Sequence, residues 1–374
     1  MHVAHINFLQ APANLTHDEL LAQWHSLVDI AELVATAGTR VSVIQAAACN
    51  DRLTRNGIDY HFIDVRGLAP SARGRHIARL LANVKADVLH VNGLDFAGEV
   101  LAVSQCLPQL PILVQDHASR PPRWWRRPRW RRCYATVSAV VFTALQQARP
   151  FNAAGLFGPQ LRLFAIPESS SRFTTGSRIH ARAETGLYGD PCVLWVGHLS
   201  AGKDPLTVLD GIAQAVSKLP DLQLWCAFGS APLLEEVQRR IDSDTQLAKR
   251  VHLLGKVTHT EVEALMQSAD IFVSGSHAEG SGYALLEALA CGVVPVVTDI
   301  PSFRALTGNG SVGRLWPRSD ALRLAEALVD VASNRTSQQQ VRAHFDATLS
   351  FEAVGRRWAD AYAQIHEDHR RRSS

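Results

Sequence analysis

The chain has 374 residues, 47% hydrophobic and 20% charged, with 38 Lys and Arg against 35 Asp and Glu and a formal net charge of +3. That length suits two domains with separate cores, and so small a net charge argues against nucleic acid as the main partner. No apolar run reaches the length of a membrane-spanning helix, and the first residues lack the basic and apolar regions of a signal peptide. The six Cys are scattered without a C-x-x-C pair, which reads as reduced packing residues of a cytosolic protein.

Residues 3–9 read as a first strand, the polar stretch after them as a loop, and 19–37 as a helix stopped by Gly38 before a strand at 40–45. A dinucleotide-binding turn would carry G-x-G-x-x-G here, and its absence disfavours a Rossmann dehydrogenase. Strands at 60–65, 88–92 and 112–115 alternate with helices at 71–84 and 96–106. The alternation predicts a parallel sheet with helices on both faces. Ligands of such sheets bind beyond the carboxyl ends of the strands, where Asp116 and His117 stand.

Residues 120–132, RPPRWWRRPRWRR, hold seven Arg, three Trp and three Pro. Trp prefers a membrane interface, and each Arg adds about 1 kcal/mol near an anionic surface. Arg123, Trp124, Trp125, Arg126, Arg127 and Trp130 therefore form a candidate patch for an anionic membrane or acceptor. Nucleic acid fits less well, because one short patch on a nearly neutral chain is a small footprint. A strand at 139–143, a helix to 152 and a strand at 161–166 follow, and the polar stretch 174–190 reads as a linker.

A strand at 192–197 opens the second half and leads into His198-Leu199-Ser200-Ala201-Gly202-Lys203. Strands at 222–228 and 251–254 end in Gly229 and Gly255, and a helix at 259–267 precedes a strand at 271–274. Residues 276–299, SHAEGSGYALLEALACGVVPVVTD, come next. A Gly-broken loop gives way to a helix at 283–291 that is apolar on nearly every face, then Gly292 and a buried strand at 293–297. Glu287 inside such a helix needs a partner. The Gly-rich loop lets backbone N–H groups approach a ligand, and the helix N-terminus favours a phosphate. Amides for a diphosphate and carboxylates for hydroxyls suit a sugar nucleotide. Helices from about 320, about 338 and 351–367 complete the chain, and 370–374 reads as a disordered tail.

Glu279 and Glu287, spaced E-x7-E and followed by Ala-Leu-Ala-Cys-Gly-x-x-Pro-Val-Val, resemble the signature of family-4 glycosyltransferases, retaining enzymes of the GT-B fold. The resemblance implies an α/β chain of two Rossmann-like domains with parallel sheets facing across a cleft. An N-terminal acceptor domain would span 1–173, a linker 174–190 and a donor domain 191–350, with 351–374 a helix returning to the first domain and a tail. It implies transfer of a sugar from a nucleotide-diphosphate donor to a hydroxyl of a glycan or lipid-linked glycan, with retention, and with no cofactor and no metal. Glu279 and His117 then orient the sugar and Glu287 holds the ribose. His198, Lys203 and the amides of Gly282 and Tyr283 face the diphosphate, and Gly197, Lys256, Val257, Gly280 and Ala284 line the rest of the donor site. His198 stands where the family has Arg, and a neutral imidazole brings a hydrogen bond without a charge, which makes the diphosphate clamp weaker or pH-dependent. Ile166-Pro-Glu-Ser stands where the family commonly has Ile-Pro-Asn-Gly. The resemblance covers the second domain closely and the first in architecture and a few positions. A sugar-nucleotide epimerase of the same fold, or a non-catalytic sugar-nucleotide-binding scaffold in polysaccharide assembly, would share these features. The expected location is cytoplasmic, peripheral on the inner face of a membrane.

Overall fold

The structure, a computed structural model, describes residues 1–117, 119–334 and 337–373. The chain divides into two compact units, residues 1–169 with 351–374, and residues 170–350. The first unit carries β1 (His2–Asn7), β2 (Arg40–Ala47), β3 (Asp51–Arg55), β4 (Ile58–Asp64), β5 (Val88–Asn92), β6 (Ile112–Gln115), β7 (Ala139–Phe142) and β8 (Arg162–Ala165). They form one sheet in the order β3-β4-β2-β1-β5-β6-β7-β8. Every neighbouring pair is parallel except β3 with β4. That hairpin turns at Asn56 and Gly57, both at positive φ (51° and 76°), as a two-residue hairpin turn requires. The sequence pattern passes over β3 because DRLTR has a single apolar side chain and is mostly exposed.

The inner strands are largely buried on both faces because helices cover both. Alternate residues of β1, such as Ala4 and Ile6, join a core with the helices Pro70–Val84, Ala97–Cys106 and Arg127–Tyr134. Val3 joins the opposite core with His17–Gln23, His25–Thr36 and the last helix. The single helix expected at 19–37 is two: Thr16 and Glu19 form a capping box on the first, and Trp24 leaves helical geometry (φ −101°, ψ 63°) to pack its ring on the core. The last helix, Phe351–Ser373, runs into the stretch 370–374 expected as a disordered tail, of which residue 374 lies outside the described residues. Trp358 Nε1 donates to Pro167 O (3.1 Å), Tyr362 Oη lies 2.7 Å from His90 Nδ1, and Arg162 Nε pairs with Asp368 at 2.6 Å.

The second unit carries β9 (Cys192–Val196), β10 (Gln223–Ala227), β11 (Val251–Gly255), β12 (Ile271–Ser274), β13 (Val294–Thr298) and β14 (Arg314–Trp316), all parallel, in the order β11-β10-β9-β12-β13-β14. Residues 174–190, read above as linker, lie in this unit and contain the helix Arg178–Thr185. Arg178 and Arg182 bind Asp270 at 3.0 and 2.7 Å, which fixes that helix to the sheet. The strand order reverses between β9 and β12. The loops after these two strands therefore diverge at a topological switch point, where open α/β sheets bind ligands.

Candidate functional site

The loops after β9 and β12 are stitched together at that switch point. Lys203 Nζ pairs with Glu279 Oε1, and Ser276 Oγ donates to the same oxygen at 2.6 Å. One step further along, His277 Nε2 lies 2.9 Å from Asp204 Oδ2, and His277 N donates to Gly202 O at 2.9 Å. A Cβ on Gly275 would sit 2.9 Å from Lys203 O and 3.0 Å from Asp204 O, so only glycine permits this approach. Burial works against the charged form of Asp204, but hydrogen bonds from His277, Thr207 and Ser319 outweigh it and hold its carboxyl below the usual value. Lys203 and Glu279 remain 27% and 16% exposed, so a ligand can reach both.

The helix Tyr283–Ala290 starts after Gly282, which is left-handed at φ 65°. A Cβ there would meet Leu306 Cδ1 at 2.9 Å. Leu285, Leu286, Ala288 and Leu289 are buried, whereas Glu287 keeps 12% of its side chain open. Its Oε1 lies 2.8 Å from His259 Nε2. His259 opens the helix His259–Ser268, after the left-handed Gly255 and between the capping-box residues Thr258 and Glu261, and its ring lies 4.8 Å from that of Phe173. The partner that Glu287 requires is thus a residue the sequence reading passed over. The available signal was a His on the first helical turn after a Gly-bearing strand end. Of the other expected donor-site residues, Gly280 is buried, Ala284 and Val257 are half-buried and Lys256 is exposed.

His198 is exposed and tied to a different loop: Ser230 N donates to its Nδ1 at 3.1 Å. With Nδ1 accepting, the hydrogen of the neutral ring sits on Nε2, which becomes the donor. Gly197 N donates to Ala227 O at 3.1 Å, which carries the β9–β10 pairing up to the residue before His198.

In the first unit His117 follows β6, and its Nδ1 lies 2.9 Å from Glu168 Oε1. Burial disfavours the imidazolium, but the Glu168 carboxylate and then Asp116 outweigh it, so the pKa of His117 is raised above its ordinary value. The Arg and Trp stretch forms a 3-10 turn at Trp124–Arg126 and then the helix Arg127–Tyr134. Trp124 and Trp125 are 74% and 52% exposed and meet edge to face. Arg123 lies over the Trp125 ring at 5.3 Å. Trp130, expected in the exposed patch, is instead 8% exposed and packs on Tyr134. Helical spacing explains this: position 130 falls on the inward face with Cys133 and Tyr134. Nine Arg and no Asp or Glu occur between residues 117 and 167.

Two α/β units, the first on a sheet parallel but for its β3 edge and the second on a wholly parallel sheet, with an acid–base pair at the switch point of the second, fit a GT-B architecture. Residues 177–345 match the profile of the family described as "Glycosyl transferases group 1". The chain is 27% identical over 289 residues to the GDP-mannose:cellobiosyl-diphosphopolyprenol alpha-mannosyltransferase of Xanthomonas campestris, covering 75% of this chain and 70% of that one. It is 25% identical over 351 residues to the phosphatidyl-myo-inositol mannosyltransferase of Mycobacterium tuberculosis, covering 86% and 87%. Among solved structures, the sucrose-phosphate synthase of Thermosynechococcus elongatus superposes with a TM-score of 0.71 at 19% identity over 98% of this chain and 99% of that one. The Anabaena protein HepE in complex with UDP gives 0.70 at 16% identity over 97% and 100%. Together the matches support a GT-B glycosyltransferase that takes its sugar from a nucleotide sugar. Among the described residues no helix is long and apolar enough to cross a membrane.

Proposed function

We propose that the chain is a retaining, metal-independent glycosyltransferase of family 4 that moves a hexose from a nucleotide-diphosphate sugar to a hydroxyl of a lipid-linked or glycan acceptor. The observation that carries this reading is the Lys203–Glu279 pair at the switch point, one helical segment ahead of Glu287. In this reading the Lys203 ammonium and the amides at Gly282 and Tyr283 stabilise the charge of the departing diphosphate, which is where electrostatic help is worth most. His198 adds a neutral Nε2–H donor. Glu287, steadied by His259, receives the ribose hydroxyls, and Gly197, Lys256, Val257, Gly280 and Ala284 line the nucleotide. Glu279 and His117 orient the sugar.

The names of two relatives join mannose to a lipid-borne acceptor. A mannose nucleotide and a lipid-linked acceptor are therefore the first pair to try. A lipid acceptor also gives the Trp124 and Trp125 surface, set among Arg123, Arg126 and Arg127, a purpose: it would hold the protein on an anionic membrane at its cytoplasmic face. The test is a panel of nucleotide sugars, each assayed for binding, for hydrolysis and for transfer to lipid-linked acceptors. Transfer with retained anomeric configuration and undiminished by chelator supports the proposal. Epimerisation of a donor sugar without any acceptor would make the protein an epimerase, and binding without turnover would make it a scaffold.

A further inference from the structure

We infer that Glu168 is a positioning residue whose buried carboxylate pairs with His117 and turns its ring for contact with the transferred sugar. The inference rests on the role proposed for His117 above. Glu168 comes from the segment that leaves β8, and His117 from the segment that leaves β6, so the sheet order β6-β7-β8 brings two carboxyl-end loops together across one intervening strand. The Glu168 side chain is 4% exposed and its Oε1 lies 2.9 Å from His117 Nδ1, while His117 keeps 31% of its side chain open. A carboxylate this buried is costly unless a donor meets it. Here the imidazole supplies Nδ1–H, and the ring is fixed with Nε2 as the remaining donor.

The groups that face His117 are Glu168 and Asp116, both acidic, and His90 on β5. His90 is fully buried, and burial pushes its pKa well below the ordinary value, so it stays neutral and leaves the carboxylates to set the balance. The imidazolium therefore persists to higher pH than in a free histidine. It offers a sugar oxygen a charged donor, stronger than a neutral one. An amide at position 168 could not supply this charge.

The experiment is an NMR titration of the full chain labelled at histidine Cε1, with the His117 signal assigned by its loss in His117→Gln. In the wild type that signal should titrate above the ordinary histidine range. Titration at or below it overturns the inference without any variant. In Glu168→Gln the midpoint should move to lower pH, and turnover at pH 8 should fall by about 10-fold or more with a smaller loss at pH 6 and an unchanged KM for the nucleotide sugar. Glu168→Asp, which keeps the charge, should restore part of the pH 8 activity. An unmoved midpoint in Glu168→Gln, or equal losses at both pH values, overturns the positioning role. Full turnover by His117→Gln would remove His117 from the sugar contact, and the NMR midpoint would still decide whether Glu168 sets its charge.

Discussion

His259 Nε2 stands 2.8 Å from Glu287 Oε1, so the carboxylate inside the apolar helix is held from one side before any ligand arrives. Oε1 is engaged by the imidazole, and Oε2 is the oxygen left to receive ribose hydroxyls. Glu287→Gln should weaken binding of a bare nucleoside diphosphate by about 1.5–3 kcal/mol, the range for hydrogen bonds to a charged group. His259→Ala should weaken it in the same direction by less, because the carboxylate keeps its charge and loses its orientation. Calorimetric titration of both variants checks this. Undiminished affinity in Glu287→Gln would take the ribose away from this residue.

Glu279 should behave differently, because its partner is a cation. An amide at 279 leaves the Lys203 ammonium uncompensated, and a diphosphate is then its best counter-ion. Glu279→Gln is expected to bind the bare nucleoside diphosphate as tightly as the wild type, or more tightly, while turnover of the full donor drops by about 10-fold or more for want of its sugar contact. Affinity and turnover measured on the same preparation separate the two carboxylates. Equal behaviour of the Gln variants at 279 and 287 toward the bare nucleotide would show that the motif has been assigned wrongly.

The local structure around Glu279 and Glu287 was legible because its signals are local: a Gly-broken loop, an apolar helix and a buried strand in one short run. The parallel sheets were legible for the same reason, since strands buried on both faces read as unbroken apolar runs. What escaped was set by distance along the chain. His259 meets Glu287 across 28 residues, and Glu168 meets His117 across 51. Neither pairing leaves a periodic trace, and both His stand in stretches that would serve equally well as plain loop or cap. Trp130 was misread because a run of Arg conceals helical phase: its inward face shows only once Arg127–Tyr134 is known to be helical. Gly275 belongs with these, for its small size answers the carbonyls of Lys203 and Asp204 some seventy residues earlier.

His198 offers the Ser230 amide an acceptor and leaves one neutral donor on Nε2. His198→Arg exchanges that for a permanent charge with several donors. Loss of the Ser230 contact costs little, because Ser230 is exposed and water can take its N–H. Nucleoside diphosphate binding should tighten by about 10-fold, the worth of one charge-assisted hydrogen bond over a neutral one. The gain should shrink as salt is raised. Calorimetry at low and high salt reads both effects, and equal or weaker affinity in the Arg variant would place His198 away from the phosphates.

The three Trp of the basic stretch should separate into two kinds. Trp124 and Trp125 are exposed, and they lie in a stretch, residues 120–132, with seven Arg and no Asp or Glu. Replacing both by Ala should leave thermal stability nearly unchanged and abolish flotation with vesicles of anionic lipid. Trp130 is core, so Trp130→Ala should destabilise the first unit by about 3–5 kcal/mol, the usual cost of truncating a buried aromatic, and the fraction that remains folded should still float. Wild-type flotation should require anionic lipid and fade as salt rises through the range in which the Debye length shortens below about 10 Å. Flotation on neutral vesicles alone, or flotation untouched by loss of Trp124 and Trp125, would mean that this surface serves something other than a membrane.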